Sequence, residues 1–165
     1  MIDKSLIKRL SGTIFAASIV TIFLCQPHNG FIAFFEVIIL IPWVIMWIWR
    51  SIKTPELRLL YAVKMCIWIL SIGITISVHF FIAYKTRQKA QMVVNAILDY
   101  HRSHGSYPPD IQTIGYSKDD LRSMIGMNGY SFNQNKPNFY YASTYMIFET
   151  ESYDFSKREW QHNYD

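Results

Sequence analysis

Apolar positions in this chain follow two patterns. Up to about residue 84 they form nearly continuous runs, and beyond it they are short, spaced and broken by polar residues. Three runs, at about residues 7–25, 31–49 and 59–84, are long and apolar enough to cross a bilayer as helices. The QPHNG link between the first two is so short that it predicts antiparallel neighbours. The third run, LLYAVKMCIWILSIGITISVHFFIAY, passes without a helix breaker into KTRQKAQMVVNAILDYHRS. There Ala90, Val93, Val94, Ile97 and Tyr100 recur at the spacing of one helix face. This predicts a single helix from Leu59 to about Ser103, roughly 67 Å long, of which the hydrocarbon core takes about 30 Å.

Gly105 and the pair Pro108 and Pro109 stop that helix at about His104. Ser117 and Asp120 then predict the cap of a short helix that Gly126 ends. The remaining segments GYSF, NFYYAS, TYMIFETE and DFSKREWQ are aromatic and partly alternating, with NQNKP and ESYD as separators. They predict a small antiparallel meander, with Tyr140, Phe148 and Trp160 set against the long helix. The expected fold class is an α-helical membrane protein with three transmembrane helices in residues 1–84. A small α+β domain follows in residues 85–165, its long helix continuous with the third span.

Charge divides the same way. The formal net charge of +4 lies entirely in residues 1–84, where seven basic residues face three acidic ones, while residues 85–165 hold nine of each. A basic excess confined to the ends of membrane runs is a topology signal, so nucleic acid is not an expected partner. Lys4, Lys8 and Arg9, with Arg50, Lys53 and Arg58, place the amino terminus and the second link in the cytoplasm. The third span then runs outward and the carboxy-terminal domain is expected outside the cytoplasmic membrane, although Lys85, Arg87 and Lys89 put a basic collar on that side. Trp43, Trp47 and Trp49 read as an interfacial aromatic belt, and Pro42 as a kink. Cys25 follows Ile22, Phe23 and Leu24 where signal peptidases need small side chains, so an uncleaved anchor is expected. Cys25 and Cys66 fall at opposite faces and are not expected to bridge.

Candidate chemistry is sparse. Glu36 and His79 are ionisable groups inside apolar runs and need a reason to be there. Each lies five residues from the outer end of its span, so a Glu36 to His79 pair is expected to hold the spans in register. Lys64 lies near a span end and can snorkel to the interface. His101 and His104, one turn apart, have the spacing of a metal pair, but no third ligand has a defined position and a helix terminus suits histidines. Ser103, Ser106, His104 and Asp110 lack a nucleophile elbow or oxyanion loop around them. No catalytic residue, metal site or cofactor is expected. Tyr140, Tyr141, Tyr145, Tyr153 and Trp160 supply more aromatic surface than a bland domain needs, and are the expected partner-binding residues.

Ala96, Ile97, Tyr100, Gly105, Tyr107, Pro108, Ile111 and Ile114 together match a pattern at the turn between long helix and head domain in a known family. On these positions the carboxy-terminal half resembles type IV pilins and type II secretion pseudopilins, and related small membrane-anchored bacterial proteins. The resemblance implies that the turn folds back beneath the helix and that a meander packs on it. The chain departs from the family in its processing site. Gly30 and Phe31 are adjacent, but Glu36 would be the sixth mature residue and not the fifth, and the span that Phe31 opens is not the one joined to the head.

The sequence therefore points to a multi-pass protein of the bacterial inner membrane, not an enzyme, that presents a domain for binding a protein. An immunity protein intercepting a membrane-acting or periplasmic toxin fits that description. The alternative is an accessory component of a pilus or type II-like secretion assembly.

Overall fold

In a computed structural model of the chain, residues 4–127, 129–133, 136–145 and 149–163 are described, with side chains from residue 7 onward. The chain divides into two compact units, Met1–Phe80 and Phe81–Asp165. It is mostly helical, with three long apolar helices and one small sheet.

The first unit contains α1 (Lys4–Leu24), α2 (Gly30–Lys53) and the first part of α3 (Arg58–His104). All three are long and apolar enough to cross a membrane. The last carbonyls of α1 have no partner within the helix, and the turn supplies one: Asn29 Nδ2 donates to Phe23 O at 2.9 Å. The second link is shorter than its composition suggests, because α2 continues to Lys53 and only residues 54–57 intervene. Arg50 and Lys53 lie in the last turn of α2, where cations suit the helix dipole. Thr54 Oγ1 donates to Arg50 O at 2.6 Å, and Pro55 opens a single 3-10 turn that leads into α3.

This unit exposes many large apolar side chains and buries several polar ones, which a water-soluble fold avoids. Phe15, Ile22 and Ile45 are 69%, 70% and 61% exposed, whereas Glu36, Ser71, Thr75 and His79 are buried. The expected tryptophan belt divides for the same reason: Trp43 and Trp49 face outward, but Trp47 is turned into the helices.

The second unit has the conventional distribution. Ala90, Val93, Val94 and Ile97 on α3 are fully buried, as the predicted face requires, and Tyr100 at its end is half-buried with its ring stacked on His104. Gly105 ends α3 in the left-handed region at φ 72°, which an L side chain rarely adopts. A 3-10 helix at Ile111–Ile114 follows, and then α4 (Lys118–Ile125). The predicted cap of α4 forms in full, with Ser117 Oγ accepting from Asp120 N at 3.0 Å and Asp120 Oδ2 accepting from Ser117 N at 2.7 Å. Ile111, Leu121 and Ile125 join the buried face of α3 in one core.

Four strands complete it: β1 (Tyr130–Asn133), β2 (Lys136–Ala142), β3 (Thr150–Asp154) and β4 (Glu159–Asn163), antiparallel in the order β1-β2-β3-β4. The meander is as expected, but its third strand is not where TYMIFETE puts it. ESYD, read above as a separator, is strand, and the turn comes after it at residues 155–158. Asp154 fixes that turn, its Oδ1 accepting from Ser156 N at 2.8 Å and Lys157 N at 3.0 Å. Arg158 closes it at φ 59°. The shift brings Tyr153 opposite Phe139, where both are buried.

Candidate functional site

The strand register assigns every described sheet residue to one of two faces. Tyr130, Phe139, Tyr153 and Trp160 form one cross-strand row, and Tyr141, Glu151 and His162 form the next row on the same face. This face covers the α3 core. Phe139 and Tyr153 each set their rings edge-on to Trp160, at 6.0 and 5.2 Å. Trp160 Nε1 donates to Gln91 Oε1 at 2.7 Å, and the Arg87 guanidinium lies 4.0 Å from the Trp160 ring.

Position by position, this corrects the expected partner surface. Tyr141 and Tyr153 are 5% and 7% exposed, so they are core residues and not contact residues. Trp160 is half-buried on α3, in the place expected of it. Tyr140 was expected against the helix but lies on the opposite face, because alternation gives the inward position to Phe139. Phe148, expected beside it, lies outside the described residues. Tyr145 is exposed in the loop that follows β2.

Tyr140 therefore stands on an outer face whose other members, Ala142 apart, are polar. Ser131, Asn138, Ser152, Gln161, Thr150 and Asn163 share it by register. Gln161 Nε2 donates to Asp154 Oδ2 at 3.2 Å and Asn163 Nδ2 to Ser152 Oγ at 2.9 Å, which holds two of the amides in place. One half-exposed aromatic ring among oriented hydroxyls and amides can make a hydrogen-bonded, partly apolar contact with another surface.

At the sheet's β4 edge a charged group adjoins the core. Arg87 Nη1 donates to Glu151 Oε2 at 3.0 Å, while His162 contacts Glu151 Oε1 at 2.7 Å and Glu149 Oε2 at 3.1 Å. The Glu151 hydrogen bond, helped by the charges of both glutamates and opposed by partial desolvation, raises the His162 pKa above its ordinary value. Burial raises the Tyr141 hydroxyl, which Arg87 partly offsets. His101 and His104, whose spacing would suit a metal pair but which were expected as helix-terminus histidines, stack on Tyr107 at 4.0 Å and on Tyr100 at 4.1 Å. Among the described residues no group of three or more His, Cys, Asp or Glu is set to hold a metal ion.

The helical unit has its own polar seam. Thr21 Oγ1 and Ser71 Oγ are 2.6 Å apart, Thr75 Oγ1 donates to Ser71 O at 3.1 Å, and the Ser71 hydroxyl reaches the Glu36 carboxyl. His79 Nε2 donates to Leu24 O at 2.8 Å, and the carbonyl, which can only accept, fixes that tautomer. Leu24 is the last residue of α1, so His79 satisfies one of the open carbonyls there. Glu36 and His79 thus hold α3 to α2 and to α1 separately, in place of the direct pair expected from sequence. Thr21, Ser71 and Thr75 were missed, although Ser71, Thr75 and His79 recur every four residues in an otherwise apolar run, which marks one helix face. Comparison with protein-family models, curated proteins and solved structures finds no match to the chain.

Proposed function

We propose that the protein is a multi-pass protein of the bacterial inner membrane that holds a non-enzymatic, protein-binding domain outside the cytoplasm. Support for insertion comes from the first unit, where three long helices expose phenylalanine and isoleucine and bury hydroxyls, histidine and a carboxyl. Water would penalise that arrangement and hydrocarbon rewards it, since polar groups in lipid must be satisfied from within. The basic residues at the amino terminus and in the Arg50–Arg58 link support the outward orientation.

The observation that carries the binding reading is the outer face of the sheet, with Tyr140 among Ser152, Gln161 and Asn138. Such a face suits capture of a protein at the membrane surface, and interception of a toxin there is the form of the function we favour. The likeness to pilins and pseudopilins, carried by the residue pattern from Ala96 to Ile114, implies a long helix followed by an antiparallel meander, and the chain has both elements.

A photo-crosslinking amino acid at position 140 in the full chain, expressed in its own membranes, tests this. A discrete protein adduct is expected from position 140 and none from Lys118, which is exposed on α4. Equal adducts from both positions, or none from position 140, would remove the assignment. An export-dependent phosphatase fused at Asp165 reads the orientation independently.

A further inference from the structure

We infer that α3 carries a headgroup site for an anionic phospholipid just beyond its apolar run, on the exposed face that holds Lys85 and Lys89. The inference rests on the membrane reading above, but neither on its direction nor on the sheet face. Lys85, Arg87 and Lys89 form a basic collar that the outward orientation leaves unexplained, and the structure divides it. Arg87 turns into the second unit, where its guanidinium meets Glu151 Oε2 at 3.0 Å and the Trp160 ring at 4.0 Å. Lys85 and Lys89 are exposed, and neither has a carboxylate within ion-pair distance among the described residues.

Exposure along this stretch follows one helix face. Phe81, Tyr84, Lys85, Gln88, Lys89 and Met92 are exposed and recur at intervals of three and four residues, while Ala90, Val93 and Val94 are buried behind them. The rings come first, with Phe81 61% and Tyr84 59% exposed, as aromatic side chains do at the boundary between hydrocarbon and headgroups. Lys85 Nζ lies 5.6 Å from the centroid of the Phe81 ring. Gln88 Nε2 donates to the Tyr84 hydroxyl at 2.7 Å, so the phenol keeps its own proton to donate. From Lys85 to Lys89 the helix advances about 6 Å, close to the depth of one headgroup layer.

Charge selects the occupant. The single acidic residue of α3 is Asp99, farther along the helix and bonded to Arg102 at 2.9 Å, so the chain supplies no counter-charge to the two lysines. A lipid phosphate stands at that depth, and two ammonium groups with a phenol between the rings and the domain are donors suited to it. A zwitterionic headgroup brings its own cation and cancels most of the attraction. One with net negative charge does not.

The test uses the full chain reconstituted in vesicles of phosphatidylcholine and phosphatidylglycerol, with a photoactivatable headgroup on one lipid or the other. Peptide mass spectrometry locates the adducts. At equal content in the bilayer, phosphatidylglycerol should label residues 81–92 about thirtyfold more than phosphatidylcholine does, roughly fivefold for each lysine. Lys85→Gln combined with Lys89→Gln should abolish the preference, and the two Arg substitutions should retain it. Both side chains are exposed, so these variants are expected to fold.

Equal labelling by the two lipids, or a preference that survives in the double Gln variant, overturns the site. Inorganic phosphate competing as well as unlabelled phosphatidylglycerol would make it a site for the free anion and overturn the lipid assignment. Resistance of the chain to alkaline extraction from membranes reports on insertion alone, so failure of the site and failure of the membrane reading are distinguishable.

Discussion

Phe139 and Tyr140 are adjacent aromatic residues on β2 that the register sends to opposite faces, so truncating each in turn measures the register. Phe139 is fully buried, packs edge-on to Trp160 at 6.0 Å and lies opposite both Tyr130 and Tyr153. Removing its ring leaves a cavity bounded by α3 and the sheet, so Phe139→Ala is expected to cost about 3–5 kcal/mol. A unit of the size of Phe81–Asp165 is stable by roughly 4–13 kcal/mol. The substitution therefore consumes about a quarter of that or more. Tyr140 is half-exposed on the polar face, and Tyr140→Ala should cost about 0.5 kcal/mol. Hydrogen exchange on the full chain in micelles reads both. Protection of the β2 and β3 amides should fall by about two to four orders of magnitude in Phe139→Ala, since each 1.4 kcal/mol is tenfold. It should hardly change in Tyr140→Ala. Phe139→Leu, expected to cost about 1 kcal/mol, keeps the comparison measurable if the alanine variant does not fold. Equal losses at positions 139 and 140 would refute the face assignment and, with it, the outer face as a binding surface.

Three further outcomes follow from the second unit. The His162 pKa is raised in the folded state, chiefly by its hydrogen bond to Glu151, so its stabilising contribution is complete below its unfolded pKa of about 6.5 and is lost as pH rises through the folded value. Denaturation followed across that window should show a decline that His162→Gln abolishes; an unchanged slope in the variant would place the effect elsewhere. Gly129→Ala should unpair β1 from β2, because an added Cβ would lie 1.6 Å from Tyr140 O, and the Tyr140 N to Gly129 O bond of 2.8 Å would break. Retained protection of the Tyr140 amide in that variant would contradict this. The Tyr130 hydroxyl donates to the buried Pro108 carbonyl, and Tyr130→Phe should cost about 1–3 kcal/mol in the same exchange assay.

How much of this was legible in the sequence depends on what sets each feature. Helix limits set by local chemistry were readable: Gly105 stops α3, and Ser117 with Asp120 starts α4. Alternation also showed that there would be strands, but their register is a tertiary choice. Three aromatic residues in a row at 139–141 satisfy either phase, and the phase that wins is the one that buries Phe139 and Tyr141 on α3. β3 was displaced because its segment ESYD is polar except for Tyr153, and a strand with one buried ring looks like a turn. For Glu36 and His79, their equal distances from the span ends suggested a partnership. Packing decided otherwise, since a serine on α3 and an open carbonyl of α1 were nearer.

One helix carries both halves of the argument. Before Phe80, α3 buries Ser71, Thr75 and His79 and exposes Ile69, Leu70 and Ile76; beyond Lys85 it buries Ala90, Val93, Val94 and Ile97 and exposes Lys89 and Asn95. No single solvent favours both patterns, because each inverts the other's balance of apolar and polar exposure. The inversion occurs within a few residues, without a break in the helix assignment and without a proline or glycine to mark it. A chain living wholly in water would have had to cover the first stretch, and one living wholly in lipid could not have afforded the charges of the second. The crossover near Lys85 is therefore where the balance of apolar and polar exposure along α3 changes over.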